Sequence, residues 1–185
     1  MNLPDEDFDP ICGESTGAAV IFGATGGVME AALRTVYEKV TGETLAKVEF
    51  EAVRGVEGVK EATVKVGDLD VKVAIAHGTA NAAKLLDSIR SGEKTYHFIE
   101  IMACPGGCVT GGGQPIVSAQ KRMECDPRVV RANAIYRADE GLPLRKSHEN
   151  PSIQTLYKDF LGEPNSHKAH KLLHTHYTAR PKYTK

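Results

Sequence analysis

Tryptophan is missing, and aromatic residues make up only 6% of the 185-residue chain. Any core must therefore rest on aliphatic side chains and be modest. A dominant charge is missing too: the formal net charge is −1, which gives no general attraction to nucleic acid or to a membrane surface. No apolar run approaches the ~20 residues that a membrane-spanning helix needs. Cysteine is sparse, with four residues. The opening Met1-Asn2-Leu3-Pro4-Asp5 has neither the basic start nor the apolar core of a secretory signal. A disulfide scaffold is thus not expected, and the expected location is cytoplasmic, where thiols stay reduced and available to metal. There is no HExxH pair, no Gly-Lys-Ser/Thr of a P-loop, no internal repeat and no low-complexity tract.

What charge there is lies unevenly. Asp5, Glu6, Asp7, Asp9 and Glu14 crowd the start, while the last forty residues hold seven Lys or Arg, three acids and five of the seven histidines. These read as two solvated ends. His170 and His174 have the i, i+4 spacing that zinc can use on a helix, but no third ligand is evident, and the expectation is a packing face with a polar side.

The most informative stretch runs from Phe98 to Pro115. It opens as an apolar strand, Phe98-Ile99-Glu100-Ile101-Met102, and breaks into a loop holding Cys104, Cys108 and five glycines, Gly106, Gly107, Gly111, Gly112 and Gly113. A strand feeding a glycine loop is how a rigid sheet delivers ligands to a site. The spacing Cys-x3-Cys differs from the Cys-x2-Cys of the usual zinc knuckle. With two glycines inside it, the backbone can curl around something larger than one ion, with N–H groups free to approach inorganic sulfides.

Taken in order, residues 1–25 read as loop, with a short buried extended piece from Ala18 to Phe22. Gly26-Gly27 opens a helix whose stripe is Met29, Ala32, Leu33, Val36, Tyr37 and Val40, and Gly42 ends it. Lys47 to Val53 alternates like a strand. Two strands, 62–66 and 69–76, join through Gly67-Asp68 as a hairpin with their lysines on one exposed face. Thr79 or Asn81 caps the next helix, with Ala82, Leu85, Leu86 and Ile89 as its buried stripe and Gly92 at its end. Tyr96 to Met102 is expected as a buried central strand, parallel to its predecessor through a crossover helix. Asp126-Pro127 starts a helix carrying Val129, Val130, Asn133, Ile135 and Tyr136 and stopped at Gly141. Two short amphipathic helices follow. Asn150-Pro151 opens the first, with Ile153, Leu156, Tyr157 and Phe160 as its stripe; Ser166 caps the second, which carries Ala169, Leu172 and Leu173.

Met102-Ala103-Cys104-Pro105-Gly106-Gly107-Cys108 with Gly111-Gly112-Gly113-Gln114-Pro115 resembles the third cysteine motif of the iron-only hydrogenases. The run Gly13 to Ala32, which includes Phe22-Gly23-Ala24-Thr25-Gly26-Gly27, and the segment Asn150 to Tyr177 extend the resemblance over nearly the whole chain. Two earlier motifs of that family, Cys-Cys-Pro and Met-Pro-Cys, are not found. The resemblance therefore implies the C-terminal half of a hydrogenase catalytic domain (1–145) followed by a small-subunit-like helical tail (146–185). The implied fold is α/β, a short mixed sheet with flanking helices that ends in short amphipathic helices.

The implied cofactor is a 4Fe-4S cluster joined to a diiron subcluster (the H-cluster), shared with a missing N-terminal half. Cys104 would ligate the four-iron cubane and Cys108 would bridge it to the diiron part. Met102 would pack against the diiron site. Phe22, Gly23, Ala24, Thr25 and Gly26 would wall the pocket, and Gly106 and Gly107 would let the backbone approach the sulfides. Cys12 and Cys125 would bring the count to four ligands by arithmetic, but the family places its other ligands in the absent motifs, so both read as packing groups. The implied partners are the N-terminal half, or a subunit carrying it, and a ferredoxin or NAD(P)-linked electron carrier. Other readings are a non-hydrogenase iron–sulfur assembly or sensory relative and an inactive fragment without the cluster.

Overall fold

A computed structural model describes residues 3–6, 9 and 13–181. The chain divides into two compact units, Ser15–Asn150 and a smaller one made of Met1–Glu14 with Pro151–Lys185.

The larger unit is built on a three-stranded sheet in the order β1-β2-β3. β1 (Val59–Val66) and β2 (Leu69–His77) are antiparallel, and Val66 pairs with Leu69 across Gly67-Asp68, so the two-residue hairpin is as expected. β3 (Phe98–Met102) pairs parallel to β2, with Ile75 opposite Glu100. The crossover between them is α3 (Thr79–Arg90). Lys65 and Lys72 do share the exposed side of the hairpin. Lys60 falls on the other side with Val64 and Val66 and is buried.

Three further helices complete the unit: α1 (Gly17–Val20), α2 (Gly27–Thr41) and α5 (Pro127–Glu140), with a short α4 (Ala119–Glu124) before the last. α2 lies on one sheet face, where Met29 and Leu33 pack with Val53, Val64, Val66, Val73 and Ile75. On the opposite face Leu85 of α3 packs against Ala74 and Ala76. Behind α2, small side chains let helices approach closely: Ala18, Ile21, Ala24, Ala31, Ala132 and Tyr136 form one cluster.

α2 meets α5 through a buried ionic network. The Arg34 guanidinium, wholly buried, spends all five of its N–H donors on Glu30, both oxygens of Asp139, and the carbonyls of Val48 and Arg145, at 2.8 to 2.9 Å. Arg54 also grips Glu30 and lies 4.0 Å over the Tyr136 ring. Arg145 joins Asp139 to Glu49.

Several local expectations are overturned. Ala18 to Phe22 is not extended: Thr16 accepts the Ala19 N–H as an N-cap and α1 forms, followed by a tight turn at Ile21–Gly23. Lys47 to Val53 forms no strand, and Glu51–Val53 is a helical turn that closes Val53 into the core. On α2 the apolar stripe fades, leaving Val36 and Val40 exposed, because the second buried face is used by Glu30 and Arg34. α3 has Gly78 as its N-cap, and Asn81 instead donates to the His77 carbonyl. β3 is an edge strand, with Phe98 43% and Ile101 47% exposed and Glu100 its buried residue. α5 buries Ala132, Tyr136 and Asp139, spaced i, i+4 and i+7, and leaves Val129 and Val130 exposed. α4 was not expected; Ser118 caps it by accepting the Lys121 N–H.

In the smaller unit, α6 (Pro151–Leu156) continues as a wider helical turn, Tyr157–Leu161, and α7 (His167–Leu173) follows with Ser166 as its N-cap. Leu161 and Ala169 are buried there, while Phe160, Leu172 and Leu173 are exposed. Among the described residues, no helix is long and apolar enough to cross a membrane.

Candidate functional site

Cys104 and Cys108 lie past the C-terminal end of β3, where open α/β sheets place their ligand sites. Cys104 is half-buried and Cys108, which starts a helical turn to Thr110, is exposed; both are free thiols. Gly106 and Gly107 between them are buried and have left-handed φ of 84° and 97°. A Cβ on Gly107 would sit 2.6 Å from the Gly23 carbonyl oxygen and 2.7 Å from the Thr25 nitrogen. Both backbone conformation and contact therefore require glycine here.

That contact is how the two glycine-rich segments meet. The Thr25 N–H donates to the Gly106 carbonyl at 3.0 Å, and Gly23 faces Val109. The chain from Phe22 to Gly26 thus lies directly against the cysteine loop, although some 80 residues separate them in sequence. Ala24, Thr25 and Gly26 are buried, and Phe22 is 45% exposed beside them. Met102 is half-buried, and its carbonyl accepts the Gly78 N–H at 2.8 Å.

Sequence reasoning did not find the groups that hold these segments. Each strand contributes one buried polar side chain. His77, at the end of β2, accepts the Gly106 N–H on Nδ1 at 3.2 Å, so its proton resides on Nε2. Burial, then the nearby Arg128 and Lys60 charges, pushes its pKa down, which favours this neutral form. Glu100 of β3 accepts the Gly26 N–H at 2.6 Å and the Met29 N–H at 2.7 Å, capping the start of α2 with a carboxylate. Lys60 of β1 donates to the carbonyls of Thr25, Val53 and Gly55 at 3.1, 2.8 and 3.0 Å. The signal for Glu100 was present, as an acid in the middle of Phe-Ile-Glu-Ile-Met. Lys60 could have been read from its even spacing with Val64 and Val66.

Other residues singled out from the sequence lie apart from this site. Cys125 caps the end of α4, exposed, with its Sγ on the Lys121 carbonyl at 3.4 Å. Cys12 lies outside the described residues. His170 stacks on His174 with ring centroids 4.7 Å apart. Among the described residues, three ligand-type side chains come within 4.8 Å of one another only at Glu38, His148 and Glu149. There the Lys146 ammonium already bonds Glu38 at 2.7 Å and Glu149 at 2.6 Å, so the acids have their cation. A cubane generally takes four protein sulfurs, and the cysteine loop offers two free thiols beside a glycine cradle. This fits part of a cluster's donor set.

Comparison with known proteins converges on one family. The description "Iron only hydrogenase large subunit, C-terminal domain" matches residues 1–112, and "Iron hydrogenase small subunit" matches residues 126–180. The NADP-reducing hydrogenase subunit HndD of Solidesulfovibrio fructosivorans is 58% identical over 178 residues, covering 96% of this chain and 30% of the relative. Iron hydrogenase 1 of Clostridium pasteurianum is 46% identical, covering 95% of this chain and 30% of the relative. An apo [FeFe]-hydrogenase structure from Chlamydomonas reinhardtii superimposes with a TM-score of 0.70 at 42% identity, over 96% of this chain and 50% of that one. The expected fold is thereby met. More distantly, mouse cytosolic iron-sulfur assembly component 3 is 29% identical over 157 residues. The chain spans about a third of the curated relatives and half of the solved chain.

Proposed function

The chain belongs to the iron-only hydrogenase family, and from that premise we propose that it supplies the C-terminal part of a catalytic domain that reversibly reduces protons to hydrogen. One observation carries this reading: the Phe22–Gly26 segment is hydrogen-bonded onto a loop that presents two free thiols. Cys104 would hold a four-iron cubane and Cys108 would bridge it to a diiron subcluster, since thiolates are strong ligands for iron. Met102 would lie against the diiron part with its soft thioether. Phe22, Gly23, Ala24, Thr25 and Gly26 would form the wall, and Gly106 and Gly107 would bring backbone close to the sulfides. When bound, such a cluster supplies electrons through the cubane and an open iron position for protons. The protein's share is ligation, orientation and a pocket from which water is kept out.

The missing donors would come from the N-terminal half of the catalytic domain or a subunit carrying it. The electron carrier would be a ferredoxin or NAD(P)-linked, the latter supported by the name of the Solidesulfovibrio relative. A cytoplasmic location suits thiols kept reduced. The iron–sulfur assembly reading draws on the mouse relative, but identity to the hydrogenases is much higher.

The test is a hybrid in which this chain replaces the matching segment of the Solidesulfovibrio subunit. Matured with the diiron cofactor, the hybrid should produce hydrogen, and this chain alone should not. Undiminished production from a Cys104→Ser hybrid, or production by the chain alone, would refute the proposal.

A further inference from the structure

The peptide group between Thr25 and Gly26 is gripped from both ends. Its carbonyl accepts from the Lys60 ammonium at 3.1 Å, and its N–H donates to the Glu100 carboxylate at 2.6 Å. The two side chains come from the two outer strands of the sheet, β1 and β3. Each is fully employed. The three ammonium hydrogens have three carbonyls, and the second carboxylate oxygen takes the Met29 N–H.

The arrangement is an ion pair with one peptide set between its members. The peptide dipole, about 3.5 D, points its oxygen at the cation and its hydrogen at the anion, so one orientation of this peptide is strongly favoured. The alternative is real, because Gly26 has φ of 90°, in a region where glycine tolerates both orientations of the preceding peptide. Burial lowers the Lys60 pKa, with Glu100 and then Glu57 opposing. Such a buried cation is costly unless its bonds are complete. The same turn donates the Thr25 N–H to Gly106 in the cysteine loop.

We infer that Lys60 and Glu100 are positioning residues for the candidate cofactor site: together they lock the Thr25–Gly26 peptide and so fix the Phe22–Gly26 wall against the cysteine loop. Neither side chain is assigned contact with the cofactor. The inference rests on the proposed reading of that wall as part of a cluster site.

The test has two arms. In the first, amide hydrogen exchange is measured on the full chain as wild type, Lys60→Met, Glu100→Gln, the two together and, as a destabilised control, Leu85→Ala, which empties core volume between α3 and Ala74 and Ala76 of β2. Glutamine puts an NH2 donor in place of one of the two oxygens that the Gly26 and Met29 N–H groups use. Lys60→Met and Glu100→Gln should each speed exchange at Gly26 and Met29 about tenfold beyond any change in the β1–β2 hairpin. The double variant should add little to either single one, since both act on the same peptide. Leu85→Ala should speed exchange without that bias. Uniform acceleration in the Lys60 and Glu100 variants would reduce both to general stabilisers and overturn the inference, and if one variant fails to fold the other still decides.

In the second arm the same variants are placed in the hybrid subunit beside Cys104→Ser, and bound iron is measured. The positioning variants should lose the diiron complement and keep the four-iron cluster. Cys104→Ser should lose the four-iron cluster. Full diiron loading in both positioning variants would overturn the inference while leaving the cluster reading intact. Full iron in Cys104→Ser would instead overturn the cluster reading.

Discussion

Arg34→Met is the severest test of what holds this unit together. The side chain is wholly buried and bridges α2 to α5. Methionine has similar reach and is a good helix former, so neither backbone propensity nor gross volume explains a loss. What changes is the partner list. Asp139 keeps Arg145, Glu30 keeps Arg54 and a long bond from the Phe50 N–H at 3.5 Å, and the carbonyls of Val48 and Arg145 lose a donor. Breaking a buried pair by removing one partner costs about 3–5 kcal/mol, because a charge is left uncompensated. For a chain of this size each kcal/mol moves the melting temperature by about 2–4 °C, so a fall of roughly 6–20 °C is expected. Urea unfolding followed by circular dichroism gives the free energy directly. The pH dependence sharpens the test. Burial alone would raise the Asp139 carboxyl, but hydrogen bonds from Arg34 and Arg145 hold it below its ordinary range. A carboxyl lowered in the folded state contributes stability that is present above its unfolded pKa and lost as pH falls through the folded value. Arg34→Met should therefore flatten the acid side of the stability curve as well as lower it. A loss under about 1 kcal/mol near neutral pH, or an unchanged acid limb, would refute the reasoning.

The remaining predictions concern the loop, the ligands and one acid. Gly107→Ala should block seating of the cysteine loop, since its Cβ would lie 2.6 Å from the Gly23 oxygen at a φ of 97°; in the hybrid, iron content checks this, and normal loading would count against the close packing described. In the same hybrid Cys108→Ser should abolish hydrogen production, because an alcohol is a far weaker iron ligand than a thiolate, whereas Cys125→Ser, at the exposed end of α4, should leave it nearly intact; equal damage from both would undo the assignment. Glu38 is held down at about 2, first by the Lys146 ammonium, so Glu38→Gln should remove stability that the parent has above pH 4.5 and loses between there and about 2. Acid titration of the unfolding free energy reads this out, and parallel curves for parent and variant would contradict it.

The sequence made the periodic parts of the fold legible and left the ionic parts dark, for a physical reason. The hairpin at Gly67-Asp68, the helix opened by Gly26-Gly27 and closed by Gly42, and the Asp126-Pro127 start of α5 all rest on local rules that act within a few residues. The cysteine loop was visible because its glycines and thiols lie together. Nothing local to Glu30, Arg34 and Asp139 separates them from the surface charges that such residues nearly always are. Only the tertiary fold brings them together, 105 residues apart for Arg34 and Asp139, and it leaves Val36 and Val40 exposed although the periodicity of α2 placed them on its apolar stripe. The candidate site follows the same division. Its thiols and glycines could be read locally, but the side chains that orient them come one from each of three strands. Lys60, His77 and Glu100 carry no motif among themselves; their common role is set by which backbone groups the folded sheet places within hydrogen-bond reach.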